Sequence, residues 1–216
     1  MIGIGLKMKE KIKLIEDYLD ELFPNPKCQL NYTSDYSLLL AIMLSAQTTD
    51  KRVNEVTCVL FSKYKSLDEL KEASISDLEL VLRPLGNFRK KALYTKEIAE
   101  ILANKYDNKV PIDREVLESL PGVGHKTVNV FFSEYCGIPA IGVDTHVMRV
   151  SKRLGLCYKD DDVIKIENKL MKKFSKDIWG KIHLQLVLFG RYHCTARNPR
   201  CAECRLKDIC KYKKKK

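Results

Sequence analysis

No stretch of eighteen uncharged apolar residues occurs in this 216-residue chain, so no transmembrane helix is expected. The opening MIGIGLKMKEKIKLIEDYLDEL runs into acidic amphipathic sequence without a cleavage-site pattern, which argues against a secretory signal. Both absences point to a cytoplasmic protein, in a compartment where disulfides are disfavoured. There is no Pro/Gly/Ser linker and no repeat of solenoid period, so solenoids are excluded and any domain division must come from packing. Runs of alternating β-branched residues are also missing, and the fold class expected is all-α. Acidic residues are in deficit: 28 Asp+Glu stand against 39 Lys+Arg, a formal net charge of +11. A surplus that large points to a polyanionic partner, nucleic acid or a membrane surface. With 45% hydrophobic residues, the chain has enough apolar matter for a packed core.

Helical periodicity dominates what is there. Ile12, Ile15, Leu19 and Leu22 share one helical face. Asp35 is expected to cap DYSLLLAIMLSAQ, a central helix apolar on most sides. Val53, Val56 and Leu60 mark another helix, and Ser76 is expected to open SDLELVLRPLG, closed by Gly86. FRKKALYTKEIAEILANKY reads as a long helix with a basic start. Asp113 caps DREVLESL, Asp144 precedes a helix from Thr145 to Leu154 closed by Gly155, and Asp160 and Asp177 precede further helices. The KYKKKK tail is expected to be a solvated end with weak phosphate attraction.

The eight cysteines divide in two. Cys28, Cys58, Cys136 and Cys157 are scattered, mostly in apolar context, and read as inert core thiols. Cys194, Cys201, Cys204 and Cys210 crowd into C-x6-C-x2-C-x5-C, which in a reducing compartment favours metal over disulfides. Four thiolates suit tetrahedral zinc or a [4Fe-4S] cluster, and ligand softness does not separate the two. Zinc sites often carry two short Cys pairs, whereas only one C-x2-C is present.

LESLPGVGHKTVNV carries the most chemistry. A helix ends at Leu120, Pro121 stops it, Gly122 and Gly124 permit a tight turn, and a second helix begins at once. Such a turn is either a plain helix connection or a backbone cradle for an anion at a helix start. Lys126 falls in the first turn of the second helix, where the macrodipole disfavours a cation. A nucleophilic lysine would gain there, because its neutral amine is the reactive form. A solvent-facing lysine or a phosphate contact are the alternatives. Asp144 is either a helix cap alone or a capped, rigid carboxylate facing a developing positive charge.

Taken together, LPGVGHKTVNV, VDTHVMRV and the terminal cysteine set resemble the endonuclease III family of helix-hairpin-helix DNA glycosylases, and LSAQTTD and GRYHCTARNPRC fit as well. The resemblance implies a bifunctional glycosylase and abasic-site lyase of base excision repair. Lys126 would attack the sugar as nucleophile, Asp144 would stabilise the cationic transition state, and β-elimination through a Schiff base would cut the strand on the 3′ side. It implies that Gln47 fills the space left by the extruded base, and that Asp50, Glu118, Thr145 and His146 surround the catalytic pair. It implies phosphate contacts at Gly122, Gly124, Arg197 and Arg200, and a [4Fe-4S] cluster on Cys194, Cys201, Cys204 and Cys210. Arg205, Lys207 and Lys211, beside the cluster, would also face the DNA backbone. Asn87 departs from the pattern, since better-known bacterial members carry an apolar wedge there.

The implied architecture is a helical barrel domain over 28–138 bearing the hairpin, and a discontinuous cluster domain from 1–27 with 139–216, the active site lying in the cleft. The implied substrate is duplex DNA containing oxidised pyrimidines or abasic sites, bound by a monomer. Monofunctional mismatch glycosylases typically replace the lysine, and the adenine-specific ones extend beyond the point where this chain stops. A non-catalytic DNA-binding or electron-carrying module would leave Lys126 without a task.

Overall fold

In a computed structural model the described residues are 8–212; the first seven residues and positions 213–216 of the lysine-rich tail lie outside them. Every regular element among the described residues is helical. In chain order they are α1 (Met8–Leu22), α2 (Asp35–Leu44), α3 (Asp50–Lys63), α4 (Leu67–Glu72), α5 (Ile75–Leu82), α6 (Phe88–Lys105), α7 (Arg114–Ser119), α8 (His125–Glu134), α9 (Thr145–Leu154), α10 (Val163–Lys173), a 3-10 turn (Lys176–Ile178) and α11 (Trp179–Tyr192). Among the described residues no helix is long and apolar enough to cross a membrane.

The chain divides into two compact units. Cys28–Gly137 forms one, and the described parts of Met1–Lys27 and Ile138–Lys216 form the other. The first is built round α2, whose Leu38, Leu39, Leu40, Ala41 and Leu44 are completely buried. Each such leucine contributes about 1.5–3 kcal/mol. The helix has no polar face because α3, α6 and α8 all pack on it. In the second unit α1 and α9 pack on α11, with Ile15, Leu19, Val147, Val150 and Leu186 buried together.

Several helix starts lie one or two residues from where the sequence suggests. Ser34, not Asp35, caps α2, in a reciprocal box with Ser37. Asp35 instead accepts from the Val110 amide through Oδ2 at 2.8 Å, tying a distant loop to the helix start. Ser74 rather than Ser76 caps α5, which ends at Leu82 before Pro84, and Asp162 rather than Asp160 caps α10. In each case serine or aspartate stands at neighbouring positions, and packing of the apolar face selects between equivalent caps. The short helix α4 was not foreshadowed by the periodicity. Cys58 is exposed on α3 and so is not a core thiol.

Candidate active-site residues and cluster loop

The hairpin is fixed from within its own unit. The Val123 amide donates to the Leu120 carbonyl at 3.1 Å, and the turn passes through Gly122 at φ +73. A Cβ there would lie 2.5 Å from Tyr94 Cδ2, so conformation and space both demand glycine. Gly124 differs: it is extended, at φ −108, and a Cβ would meet nothing within 4 Å. Nothing within reach of a Cβ demands glycine at 124. As N-cap of α8, Gly124 brings no side-chain acceptor to the helix start. Across the turn, Glu118 accepts from Arg114 Nη1 at 2.9 Å and contacts His125 Nδ1 at 3.1 Å, while Arg114 Nη2 donates to Asn129 at 2.7 Å. These bonds brace α7 against α8.

Lys126 is the second residue of α8 and is half-buried. Burial pushes the Cys28 thiol up to about 11; Glu134 and Asp50 add to that rise and Lys126 opposes it. Lys126 and Asp50 thus act on one electrostatic neighbourhood. Gln47 follows α2 in an exposed turn at φ +56, and Asn87 starts α6 at φ +56.

In the other unit, Asp144 caps α9. Its Oδ1 accepts from the amides of His146 and Val147, both at 2.8 Å. Thr145 is exposed, whereas His146 is half-buried with Nδ1 at 3.2 Å from Arg149 Nη2. Burial lowers the His146 pKa, outweighing the Asp144 carboxylate. Gly190 of α11 lets α9 approach, since a Cβ there would stand 2.8 Å from His146 Cβ.

The second half of α9 holds the cysteine loop. Arg149 Nε donates to the Cys194 carbonyl at 3.2 Å, and Arg153 Nη1 donates to the Thr195 carbonyl at 2.8 Å and to Cys194 Sγ at 3.3 Å. The Lys211 amide donates to the Arg153 carbonyl at 2.7 Å, closing the far end of the loop on the same helix. Neither arginine was singled out from the sequence. The signal available was their i, i+4 spacing behind a helix cap, which places them on one face. Arg197 and Arg200 are exposed, but Arg205 is engaged with Glu21 and the Tyr18 ring of α1.

These arrangements match known proteins. Residues 40–176 match the HhH-GPD superfamily of base excision DNA repair proteins, and residues 194–210 match the iron–sulfur binding domain of endonuclease III. Endonuclease III of Bacillus subtilis is 43% identical over 202 residues, covering 94% of this chain and 92% of the relative. The chain belongs to the endonuclease III family. The Escherichia coli K12 member is 38% identical over 91% of this chain and 93% of its own length. Among solved structures, a trapped endonuclease III–DNA covalent intermediate superposes with a TM-score of 0.91 at 43% identity, covering 95% of this chain and 97% of that one. A non-covalent endonuclease III–DNA complex gives 0.92 at the same identity, covering 95% and 96%. A thermostable thymine-DNA glycosylase, at 22% identity and a TM-score of 0.83, shares the fold.

As an endonuclease III family member the protein is a DNA glycosylase and lyase of base excision repair, and it carries a [4Fe-4S] cluster. The residues present fit that group. All four cysteines, Cys194, Cys201, Cys204 and Cys210, line one pocket with about 430 Å³ of empty space, part of it open to solvent. Four thiols lining one pocket suit a cluster held by four thiolates. Burial and mutual repulsion of the thiolates push the Cys204 and Cys210 pKa up, a cost that iron would relieve.

Proposed function

We propose that Lys126 is the nucleophile and Asp144 the electrostatic partner of a bifunctional reaction on duplex DNA carrying oxidised pyrimidines or abasic sites. The observation that carries the reading is the place of Lys126 in the first turn of α8, directly after the glycine turn. The positive end of a helix dipole opposes a charged ammonium and so favours the neutral, reactive amine. Its Nζ attacks C1′ of the damaged nucleoside, the glycosidic bond breaks, and the base leaves with a proton. The sugar ring then opens as the C1′–O4′ bond breaks and O4′ takes up a proton, leaving an iminium that acidifies C2′; loss of the C2′ proton and cleavage of the C3′–O bond release the 3′ strand. Hydrolysis then frees the lysine.

Asp144 has one carboxylate oxygen committed to two α9 amides. Those bonds hold it rigid, and the other oxygen meets the positive charge developing on the sugar. Asp50, Glu118, Thr145 and His146 support this machinery, and Glu118 does so by bracing the hairpin. Gln47 enters the space of the extruded base. Gly122, Gly124, Arg197 and Arg200 contact phosphates. The cluster on Cys194, Cys201, Cys204 and Cys210 supplies a cross-link that fixes the loop bearing the two arginines.

One chain carries every group needed, and the protein acts as a monomer, in the cytoplasm with the genomic DNA. The test is borohydride trapping on a duplex with one thymine glycol or one abasic site. The native protein should form a covalent complex and Lys126→Gln should form none. Base release without trapping would make the enzyme monofunctional and overturn the role given to Lys126. Binding should also weaken steeply with salt.

A further inference from the structure

Lys91, on α6, is 5% exposed, in a class of residue almost never buried without a charged partner. Its ammonium donates to the Ala46 carbonyl at 2.9 Å and to Thr48 Oγ1 at 3.1 Å. Neither partner is charged. Those two residues flank Gln47, which sits exposed in the left-handed region at φ +56. A non-glycine residue in that region persists only where its surroundings over-determine it, and such strain gathers at functional positions. Here the Thr48 amide closes the turn on the Ser45 carbonyl at 3.0 Å, Thr48 Oγ1 reaches the Ala46 carbonyl at 3.3 Å, and Lys91 clamps both sides.

The same lysine is anchored at the start of α6. Its amide donates to the carbonyl of Asn87, the second left-handed residue, at 3.1 Å. A cation in the opening turns of α6 is disfavoured by that helix's dipole, and the first turn holds no acidic residue to offset it. The compensation comes from α2, whose negative C-terminal end and following carbonyls receive the charge. Burial alone lowers the Lys91 pKa.

We propose that Lys91 is a positioning residue for base extrusion: a buried strut that locks the Gln47 turn to the Asn87 end of α6, so that both tips enter the duplex as one rigid unit. This rests on the role given to Gln47 above. A rigid tip matters most where a stacked, paired base must be displaced, and least where the base is already gone.

The test compares native protein, Lys91→Met, Lys91→Arg, Gln47→Ala and the Lys91→Met/Gln47→Ala double variant, at a temperature where all remain folded by circular dichroism. Three quantities are read: single-turnover excision of thymine glycol, borohydride trapping on a preformed abasic site, and fluorescence of a 2-aminopurine next to the lesion, which reports unstacking. Lys91→Met should slow excision by about tenfold or more and reduce the unstacking signal, with a smaller effect on trapping. Lys91→Arg, which keeps a charged donor, should recover part of the loss. The double variant should be no slower than the worse single one, because both changes disable one device. If Gln47→Ala leaves excision and unstacking unchanged, the role given to Gln47 itself fails. If Gln47→Ala is impaired while Lys91→Met is not, or the two effects multiply, the strut alone is overturned. An equal loss of excision and trapping in Lys91→Met would also overturn it.

Discussion

The glycine hairpin and the cysteine loop both follow a helix end and both are expected to meet DNA phosphate, yet they are held in shape by different means. The hairpin is fixed by ordinary folding forces. Gly122 supplies the one left-handed turn, Tyr94 packs against it, and Glu118 and Arg114 lock the flanking helices. The loop from Cys194 to Cys210 has no regular helix, and its backbone leans on Arg149 and Arg153 of α9. Its four thiols repel one another when ionised and line a pocket that protein atoms do not fill. A segment without a regular helix, pinned to the core by the buried Leu206, gains further rigidity from what the thiols bind.

Removing iron should break the comparison most visibly. Cluster-free protein, or Cys204→Ser, should expose the 194–210 loop to trypsin about 100-fold faster or more, as local opening loses its metal-linked penalty. Peptides from residues 28–137 should stay protected. Equal loss of protection in both units would mean that the hairpin also depends on the cluster.

The two hairpin glycines sharpen the contrast at a smaller scale. Gly122→Ala should destabilise the fold by about 1–2 kcal/mol from the backbone alone, and by more if Tyr94 cannot withdraw. Gly124→Ala should leave thermal stability within about 0.5 kcal/mol, because a Cβ there meets open space. It should nevertheless weaken binding to duplex DNA by about tenfold in fluorescence anisotropy. Unchanged affinity would remove Gly124 from the DNA-facing surface.

The smallest expected effect is on acid stability. The His146 pKa is lowered by burial, so the unfolded chain binds a proton more readily than the folded one. Stability of the cluster-bearing unit should be full above pH 6.5, the unperturbed value, and decline as the pH falls below it towards the folded pKa. The loss should stay under about 1 kcal/mol, because His146 is only half-buried. Glu118 is held low chiefly by its bond to Arg114, so the hairpin brace persists until the pH drops below 4.5. Chemical denaturation at pH 7 and pH 5.5, monitored separately for each unit by hydrogen exchange, should show the decline in the His146 unit alone.

Much of this was legible from residues alone. Helix α9 runs from Thr145 to Leu154, with Asp144 and Gly155 as its caps, as the sequence indicates, because an aspartate start and a glycine stop are local chemistry. The second helix of the hairpin likewise begins where PGVG ends. Lys91 was missed although it stands in register with Thr95, Ile98 and Leu102 on the buried stripe of α6, where a lysine is out of place. Arg149 and Arg153 carry no mark in the sequence beyond their i, i+4 spacing on one helix.

The local order of residues, with its caps, glycines, helical stripes and cysteine spacing, determined the all-helical class, the hairpin and the chemistry that the cysteine set can hold. Short-range sterics and hydrogen bonds decide those features. Only the tertiary structure decided which serine caps α2 and α5, that Gly122 rather than Gly124 is required by packing, and that Arg153 and Lys91 point their charges into loops far along the chain. Such choices depend on what lies opposite a side chain in space, and a long flexible cation carries no mark in the sequence of the carbonyl it will find.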